Sequence, residues 1–316
     1  MNFVFPAPIG RRLTILLCLA VTSFCASRTS AKSPISLDAL QRDGYGSVKL
    51  IKGFQKNKLY VPAEINGKKI ELLLDTGWGS SGITVGMSPS ELHIAPENGV
   101  QMAISANGVR MAEGHGIAQS VAIGNVHIEN TRIYFGQFSE FGIIGHSFLK
   151  KCGAIIDLTN LRLYLRPPGV GRRVNLSPAL TSIGLAEARF FDSPHGGFVL
   201  NVEVNGVPTQ MALDTGAQIS VLDTRFAKVA STKGWNRRHV YQRDAAGVLS
   251  PADFAGTKTF KIEGVPIRTP IVFLARFAGY DISRGKMVGV LGLDVIGLNW
   301  GIIDFAQQKF YFAKAK

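Results

Sequence analysis

The 316-residue chain is 46% apolar and 9% aromatic with only 18% charged residues, which supports a sizeable core and excludes a disordered polyelectrolyte. Its 35 Lys and Arg outnumber 22 Asp and Glu, for a formal charge of +13, but the basic residues are scattered apart from Lys68-Lys69, Arg172-Arg173 and Arg237-Arg238. No basic helix, zinc-finger spacing or RNA-binding aromatic motif accompanies them, so nucleic acid is not an expected partner.

At the N-terminus, Arg11 and Arg12 precede an apolar run from Leu13 to Ala20, and small and polar residues follow from Ser27 to Ser33. This order reads as a secretory signal peptide, set at residues 1–31. The run is short for a membrane span, so the mature form is expected to have no stable one; an uncleaved anchor is the alternative. Cys18 and Cys25 fall in the leader, which leaves Cys152 alone in the mature chain, as a buried structural thiol. An exported chain without a disulfide points to the bacterial periplasm.

Beyond the leader, Gly-containing turns alternate with short apolar runs, the pattern of an all-β protein. The segment from Leu59 to Asp75 reads strand, Asn66-Gly67 turn, strand, and Phe198 to Asp214 repeats it around Asn205-Gly206. Adding 139 maps one copy onto the other without a gap. Short helical turns are expected at Ser88–Leu92, where Ser and Pro stand at a helix start, and after Ile143-Ile144-Gly145 and Val290-Leu291-Gly292. Near Arg276–Lys286 the second copy gains eight residues, and the offset becomes 147. Asp157 then falls on Asp304, each before a turn and a closing strand that it is expected to hold. The chain therefore divides into an N-terminal lobe, 45–168, a Pro- and Gly-containing linker, 169–182, and a C-terminal lobe, 183–316, related by a pseudo-two-fold axis. Such a linker marks a boundary that few contacts need cross.

Each copy runs an apolar strand into Asp-Thr-Gly: Leu72-Leu73-Leu74 into Asp75-Thr76-Gly77, and Met211-Ala212-Leu213 into Asp214-Thr215-Gly216. A lone Asp-Thr-Gly is a common turn. Two in matching places, each with a later hydrophobic-hydrophobic-Gly element, closely resemble the retropepsin-like aspartic proteases, and the resemblance spans most of the chain beyond residue 45. It implies that Asp75 and Asp214 are catalytic. Two carboxyls within hydrogen-bonding reach cannot both ionise cheaply, so the pair shares one proton and can act as base and acid on a bound water. Thr76 and Thr215 would make a cross-lobe hydrogen-bonded grip, and Gly77 and Gly216 would let the backbone approach the carboxyls.

Gly108 and Gly247 each lie 33 residues after their Asp. In the family a hairpin here closes over substrate, so both are candidate substrate-binding positions on two flaps. Trp78 and Ala217, the residues after each Asp-Thr-Gly, are further candidates. The family usually has a small residue there, so Trp78 would either wall one side of the cleft and set a preference or crowd the dyad. His146 has no counterpart in the second copy, where Leu293 stands, and is expected to be exposed or capping. No metal-ligand spacing is present and no cofactor is expected.

The resemblance implies an aspartic endopeptidase acting on exported or envelope polypeptides, and an expected monomer, because fusion of two lobes removes the need for a second chain. The alternative is a catalytically silent peptide-binding or regulatory protein on the same fold. A processing enzyme with one dedicated partner, its segment before residue 50 acting as a pro-piece, is a third possibility.

Overall fold

The computed structural model describes residues 2–4, 36–53, 58–79, 82–105, 107–137, 141–193, 197–235, 240–268, 271–277 and 287–315. Most of the expected leader, with Cys18 and Cys25, lies outside these residues, as does most of the eight-residue gain. No helix among them is long and apolar enough to cross a membrane.

A strand at the start of the chain, β1 (Asn2–Val4), pairs with the second lobe, and the first lobe runs through β2 (Gly46–Lys49), β3 (Ile51–Lys52), β4 (Leu59–Ile65), β5 (Lys68–Asp75), β6 (Ile83–Val85), β7 (Pro96–Ile104), β8 (Arg110–Ile123), β9 (Val126–Gly136), β10 (Gly142–Gly145), β11 (Ile155–Asp157) and β12 (Arg162–Leu165). The second follows with β13 (Ala186–Asp192), β14 (Phe198–Val204), β15 (Val207–Leu213), β16 (Val221–Asp223), β17 (Val240–Arg243), β18 (Leu249–Gly256), β19 (Phe260–Ile262), β20 (Val265–Pro266), β21 (Ile271–Ala275), β22 (Met287–Leu291), β23 (Ile302–Asp304) and β24 (Lys309–Phe312). Short helices punctuate them: α1 (His146–Lys151), α2 (Ser177–Ser182), α3 (Thr224–Val229) and α4 (Leu293–Ile296). The protein is all-β with two duplicated lobes, and α1 and α4 follow the two hydrophobic-hydrophobic-Gly motifs.

Local sequence explains the elements. Along β4 the alternate residues Leu59, Val61, Ala63 and Ile65 are buried, the period-two pattern of a half-covered sheet. The β4–β5 hairpin turns on Asn66 and Gly67 at φ 47° and 82°, and the β14–β15 hairpin on Asn205 and Gly206 at φ 51° and 84°. Two successive left-handed residues make the turn that matches strand twist, and Asn-Gly tolerates it best. Both Asn side chains also anchor the hairpin, donating to Leu92 O at 3.0 Å and to Ala230 O at 2.9 Å. The turn at Ser90–Leu92 is a 3-10 turn, with Ser88 N and Oγ both donating to the Glu91 carboxylate.

The lobes are joined more tightly than the linker suggests. Strands β2, β12 and β11 of the first lobe and β23, β24 and β13 of the second form one continuous run of six, ordered β13-β24-β23-β11-β12-β2. Its centre is the antiparallel pair β11–β23, with Ile156 opposite Ile303, so the pseudo-two-fold axis passes between them. The expectation that few contacts cross the boundary is corrected here, because the linker sequence is silent about pairing between strands distant in the chain. Asp157 and Asp304 lie at this seam, fully buried, and hold the following turns: Asp157 accepts from Thr159 N and Asn160 N, and Asp304 from Gln307 N. Cys152 is buried and its thiol is pushed up to about 12 by burial, an inert core residue.

Candidate active site

Asp75 ends β5 and Asp214 follows β15, and each loop is braced from behind. Strand β10 pairs parallel with β5, setting Gly145 beside Asp75, while its other edge pairs antiparallel with β6. In the second lobe β22 lies between β15 and β16 in the same way, and Asp214 N donates to Leu291 O at 3.0 Å. The first amide of each following helix catches the loop's carbonyl: His146 N donates to Trp78 O at 3.2 Å and Leu293 N to Ala217 O at 2.9 Å.

The loops meet at the axis. Thr76 Oγ1 donates to Leu213 O at 2.6 Å and accepts from Thr215 N at 2.9 Å. Thr215 Oγ1 reciprocates, donating to Leu74 O at 2.7 Å and accepting from Thr76 N at 3.1 Å. Both threonines are fully buried. Thr215→Val keeps the shape but strands Leu74 O and Thr76 N without that partner. It is expected to cost about 2–4 kcal/mol in urea denaturation. A loss under about 0.5 kcal/mol would show that the grip contributes little.

The grip brings the carboxyls together at the axis, each lying against the glycine of the opposite loop. Gly77 N donates to Asp75 Oδ1 at 2.9 Å, and Gly216 N and Ala217 N donate to Asp214 Oδ1 at 2.8 and 3.0 Å. A Cβ on Gly77 would lie 2.7 Å from Asp214 Cγ, and one on Gly216 would press still closer on the Asp75 carboxyl, so neither position admits a side chain. Burial, then the charge of Asp214, pushes Asp75 up to about 7.

Two hairpins cover the cleft. Hairpin β7–β8 turns at Ser105–Gly108 and β17–β18 at Asp244–Gly247, with Gly108 at φ 82° and Gly247 at φ 81°. The tips touch across the lobes: Asn107 Nδ2 donates to Asp244 Oδ2 at 3.0 Å, and Ser250 Oγ donates to Asn107 Oδ1 at 2.8 Å. Sequence spacing located the tips but not this link, which depends on side chains from both copies.

Trp78 is buried beneath the first flap. Its indole Nε1 donates to Thr84 Oγ1 at 3.1 Å, and the ring packs with Leu73, Ala103 and Ile143, with Met111 and the opposite flap's Ala245 alongside. Ala217 instead joins a cluster with Val221, Ala252 and Phe273. His146 is half-buried rather than exposed: its Nδ1 lies 3.2 Å from Trp78 O and its ring stands edge-on to Phe198 of the other lobe, centroids 5.0 Å apart. Burial lowers its pKa. It steadies the Trp78 loop from a position that has no equivalent in the second copy.

The first lobe matches the family model described as "gag-polyprotein putative aspartyl protease" over residues 61–151, and the second matches "Aspartyl protease" over 200–295. The chain belongs to the retropepsin-like aspartic proteases. It also resembles in fold the crystal structure of the aspartic proteinase from Irpex lacteus, at 13% identity and a TM-score of 0.53, over 86% of this chain and 98% of that one. Basic 7S globulin from soybean matches at 10% identity and a TM-score of 0.48, over 86% and 95% of the two chains. No curated protein sequence matches significantly.

In this retropepsin-like protease a further, half-buried carboxylate supports the loop of the C-terminal lobe. Asp294 Oδ1 accepts from Ser220 N at 2.8 Å and Oγ at 2.7 Å, and Ser220 Oγ accepts from Gly292 N at 2.9 Å. Burial pushes Asp294 up to about 6 despite these donors, and Asp304 likewise to about 6. The folded state therefore binds these protons more tightly than the unfolded chain, whose carboxyls titrate at about 4. The stabilisation is complete below that value and is lost as pH rises through the folded value. Thermal denaturation is expected to show a lower Tm at pH 8 than at pH 5. Asp294→Asn, which keeps the acceptor oxygen, should recover about 3 kcal/mol at pH 8 and nothing at pH 4. A variant equally affected at both would contradict a protonated Asp294.

Proposed function

We propose that the chain is an aspartic endopeptidase that hydrolyses peptide bonds through a water activated by Asp75 and Asp214. The observation that carries this is the meeting of two carboxyls at the lobe junction, each packed against the other loop's glycine. Each carboxyl comes from its own Asp-Thr-Gly loop and is fixed by the reciprocal threonine grip.

The chemistry follows from one shared proton. The ionised carboxylate takes a proton from a water bound between the pair, and the oxygen adds to the scissile carbonyl carbon. The protonated carboxyl gives its proton to the carbonyl oxygen, yielding a neutral gem-diol. As the C–N bond breaks, the protonated carboxyl gives its proton to the amine nitrogen while the ionised one takes a proton from a gem-diol hydroxyl, so an amine and a carboxylic acid leave and the pair keeps its single proton. The two titrations belong to the pair, so neither carboxyl is assigned a fixed role in the cycle. The flaps exclude bulk water while this proceeds, and substrate lies extended between them, pairing its backbone with their strands.

The composition of the leader supports an exported enzyme acting on envelope polypeptides, and the fusion of two lobes in one chain supports a monomer. Trp78, turned beneath the flap, supports the cleft-wall role, with Ala217 on the opposite side and Gly108 and Gly247 at the flap tips. The decisive assay presents casein and a peptide library to the purified chain from pH 3 to 7, beside Asp75→Asn and Asp214→Asn. Cleavage lost in both variants supports the proposal. Cleavage that survives both refutes the dyad, and tight peptide binding without any cleavage supports a silent binding protein instead.

A further inference from the structure

The two flaps carry different residues at one matched position. Ala103 on β7 lies opposite Met111 on β8, and both pack against Trp78. With the offset of 139, the corresponding pair is Gln242 on β17 opposite Ser250 on β18. So where the first lobe packs a small apolar side chain on an indole, the second carries an amide.

Gln242 is completely buried, and neither its Nε2 nor its Oε1 has a hydrogen-bond partner. Its direction follows from the hairpin. Residues opposite one another in an antiparallel pair share a face, as do residues two apart on one strand. Gln242 therefore shares a face with Ser250, whose hydroxyl reaches the first flap's Asn107, and with Ala252, which packs in the cluster of Ala217 and Phe273. That face turns inward, onto the cluster around Ala217 and Phe273. A buried amide with both of its hydrogen-bonding ends unpaired is costly, and such a group in a native protein calls for an explanation.

The outer edge of β17 also accepts a strand. Asn2–Val4 pairs with it antiparallel, with Phe3 opposite Gln242 and Asn2 opposite Arg243. Any extended segment added in this register places one residue directly opposite the unpaired amide, on the same face.

We infer that Gln242 is a specificity-determining residue, and that the polypeptide substrate is selected for a carboxamide side chain, Asn or Gln, at the position opposite it. A primary amide is the complement of this group, since it donates to Oε1 and accepts from Nε2 at once. An aliphatic side chain there leaves both ends unpaired. A site built to hydrogen-bond its ligand rejects an analogue that lacks the group far more strongly than an apolar pocket rejects a smaller side chain. This inference rests on the endopeptidase reading for its substrate, but binding alone can test it.

The experiment uses the full chain and a casein-derived decapeptide in which each position in turn carries Gln, Asn, Leu or Met. At one position the amide peptides should be cleaved with kcat/KM roughly tenfold or more above Leu and Met. Gln242→Leu should reverse that order at that position alone. Gln242→Met serves as a second variant should the first fold poorly. The same series is titrated by fluorescence anisotropy against Asp75→Asn, with and without Gln242→Leu. An amide preference in binding by Asp75→Asn, together with a parent chain that cleaves none of the peptides, sinks the peptidase reading and keeps this one. An active chain with no amide preference at any position, or one whose preference survives both Gln242 substitutions, overturns this inference and leaves the peptidase reading intact.

Discussion

Asp75→Asn will abolish cleavage at every pH and leave the chain folded, and Asp214→Asn will do the same. Each substitution keeps an oxygen that can accept the loop amide, Gly77 N in one case and Gly216 N in the other. What it removes is the group that can gain and lose a proton. A pair that cannot pass one proton between its members loses both the base for water and the acid for the carbonyl. The loss in kcat should exceed roughly a thousandfold. The parent has its own pH limit. With Asp75 pushed up to about 7, the shared proton leaves as pH rises through that value, and cleavage falls on the alkaline side. Stability separates this from misfolding. Asp75 holds its proton more tightly folded than unfolded, so its contribution fades toward alkaline pH. The Asn variant, which has no proton to lose, should melt no lower than the parent at pH 8. A variant that still cleaves, or an activity that rises beyond pH 8, would refute the shared-proton dyad.

Trp78→Ala will both weaken the fold and widen what the cleft accepts. The ring is 6% exposed and packs on Leu73, Ala103 and Ile143, with its Nε1 on Thr84. Truncating a buried Trp removes its transfer energy and leaves a cavity, about 3–5 kcal/mol together. Thr84 Oγ1 also loses its donor. The cavity opens beneath the first flap, toward the substrate side of the loop. Peptides with a bulky residue on that side should gain in kcat/KM relative to those with Ala or Gly, a ratio readable in one competition assay. Urea denaturation gives the stability loss directly. If stability falls but the ratio of bulky to small substrates stays fixed, Trp78 is a core residue with no part in selection.

Much of this molecule could be read before any coordinates. The register of 139 placed Asp75 on Asp214, Asn66-Gly67 on Asn205-Gly206 and Gly108 on Gly247, because turns and special backbone positions leave fixed residue types behind. What stayed hidden depends on side-chain direction or on pairing between distant strands. The indole of Trp78 could have turned toward the carboxyls, and only the packing beneath the flap decides that it did not. Position 242 looked like any polar strand residue, since alternation on a short strand shows two faces without saying which is inward. The β11–β23 seam joins residues nearly 150 apart, and neither three-residue strand carries a mark of its partner. His146, expected to be exposed or capping, is half-buried against Phe198 of the other lobe, a contact that nothing in its own sequence marks. Its ring nitrogen works within the lobe, against a carbonyl that the second copy catches by backbone alone.

The seam between β11 and β23 also bears on how the two copies have drifted apart. When a site is built from two identical chains, every substitution appears twice, once on each side of the axis. A residue that improves one side must be tolerated on the other. Here both halves belong to one chain and are zipped together by their own backbone, so each can change alone. Trp78 corresponds to Ala217, Ala103 corresponds to Gln242, and Leu293 stands where the first half has His146. All three differences lie in or directly behind the cleft, while Asp75, Thr76 and Gly77 recur unchanged as Asp214, Thr215 and Gly216. Fusion thus freed the walls to become unequal and so to tell one end of a polypeptide from the other, a distinction that a strictly symmetric cleft cannot make.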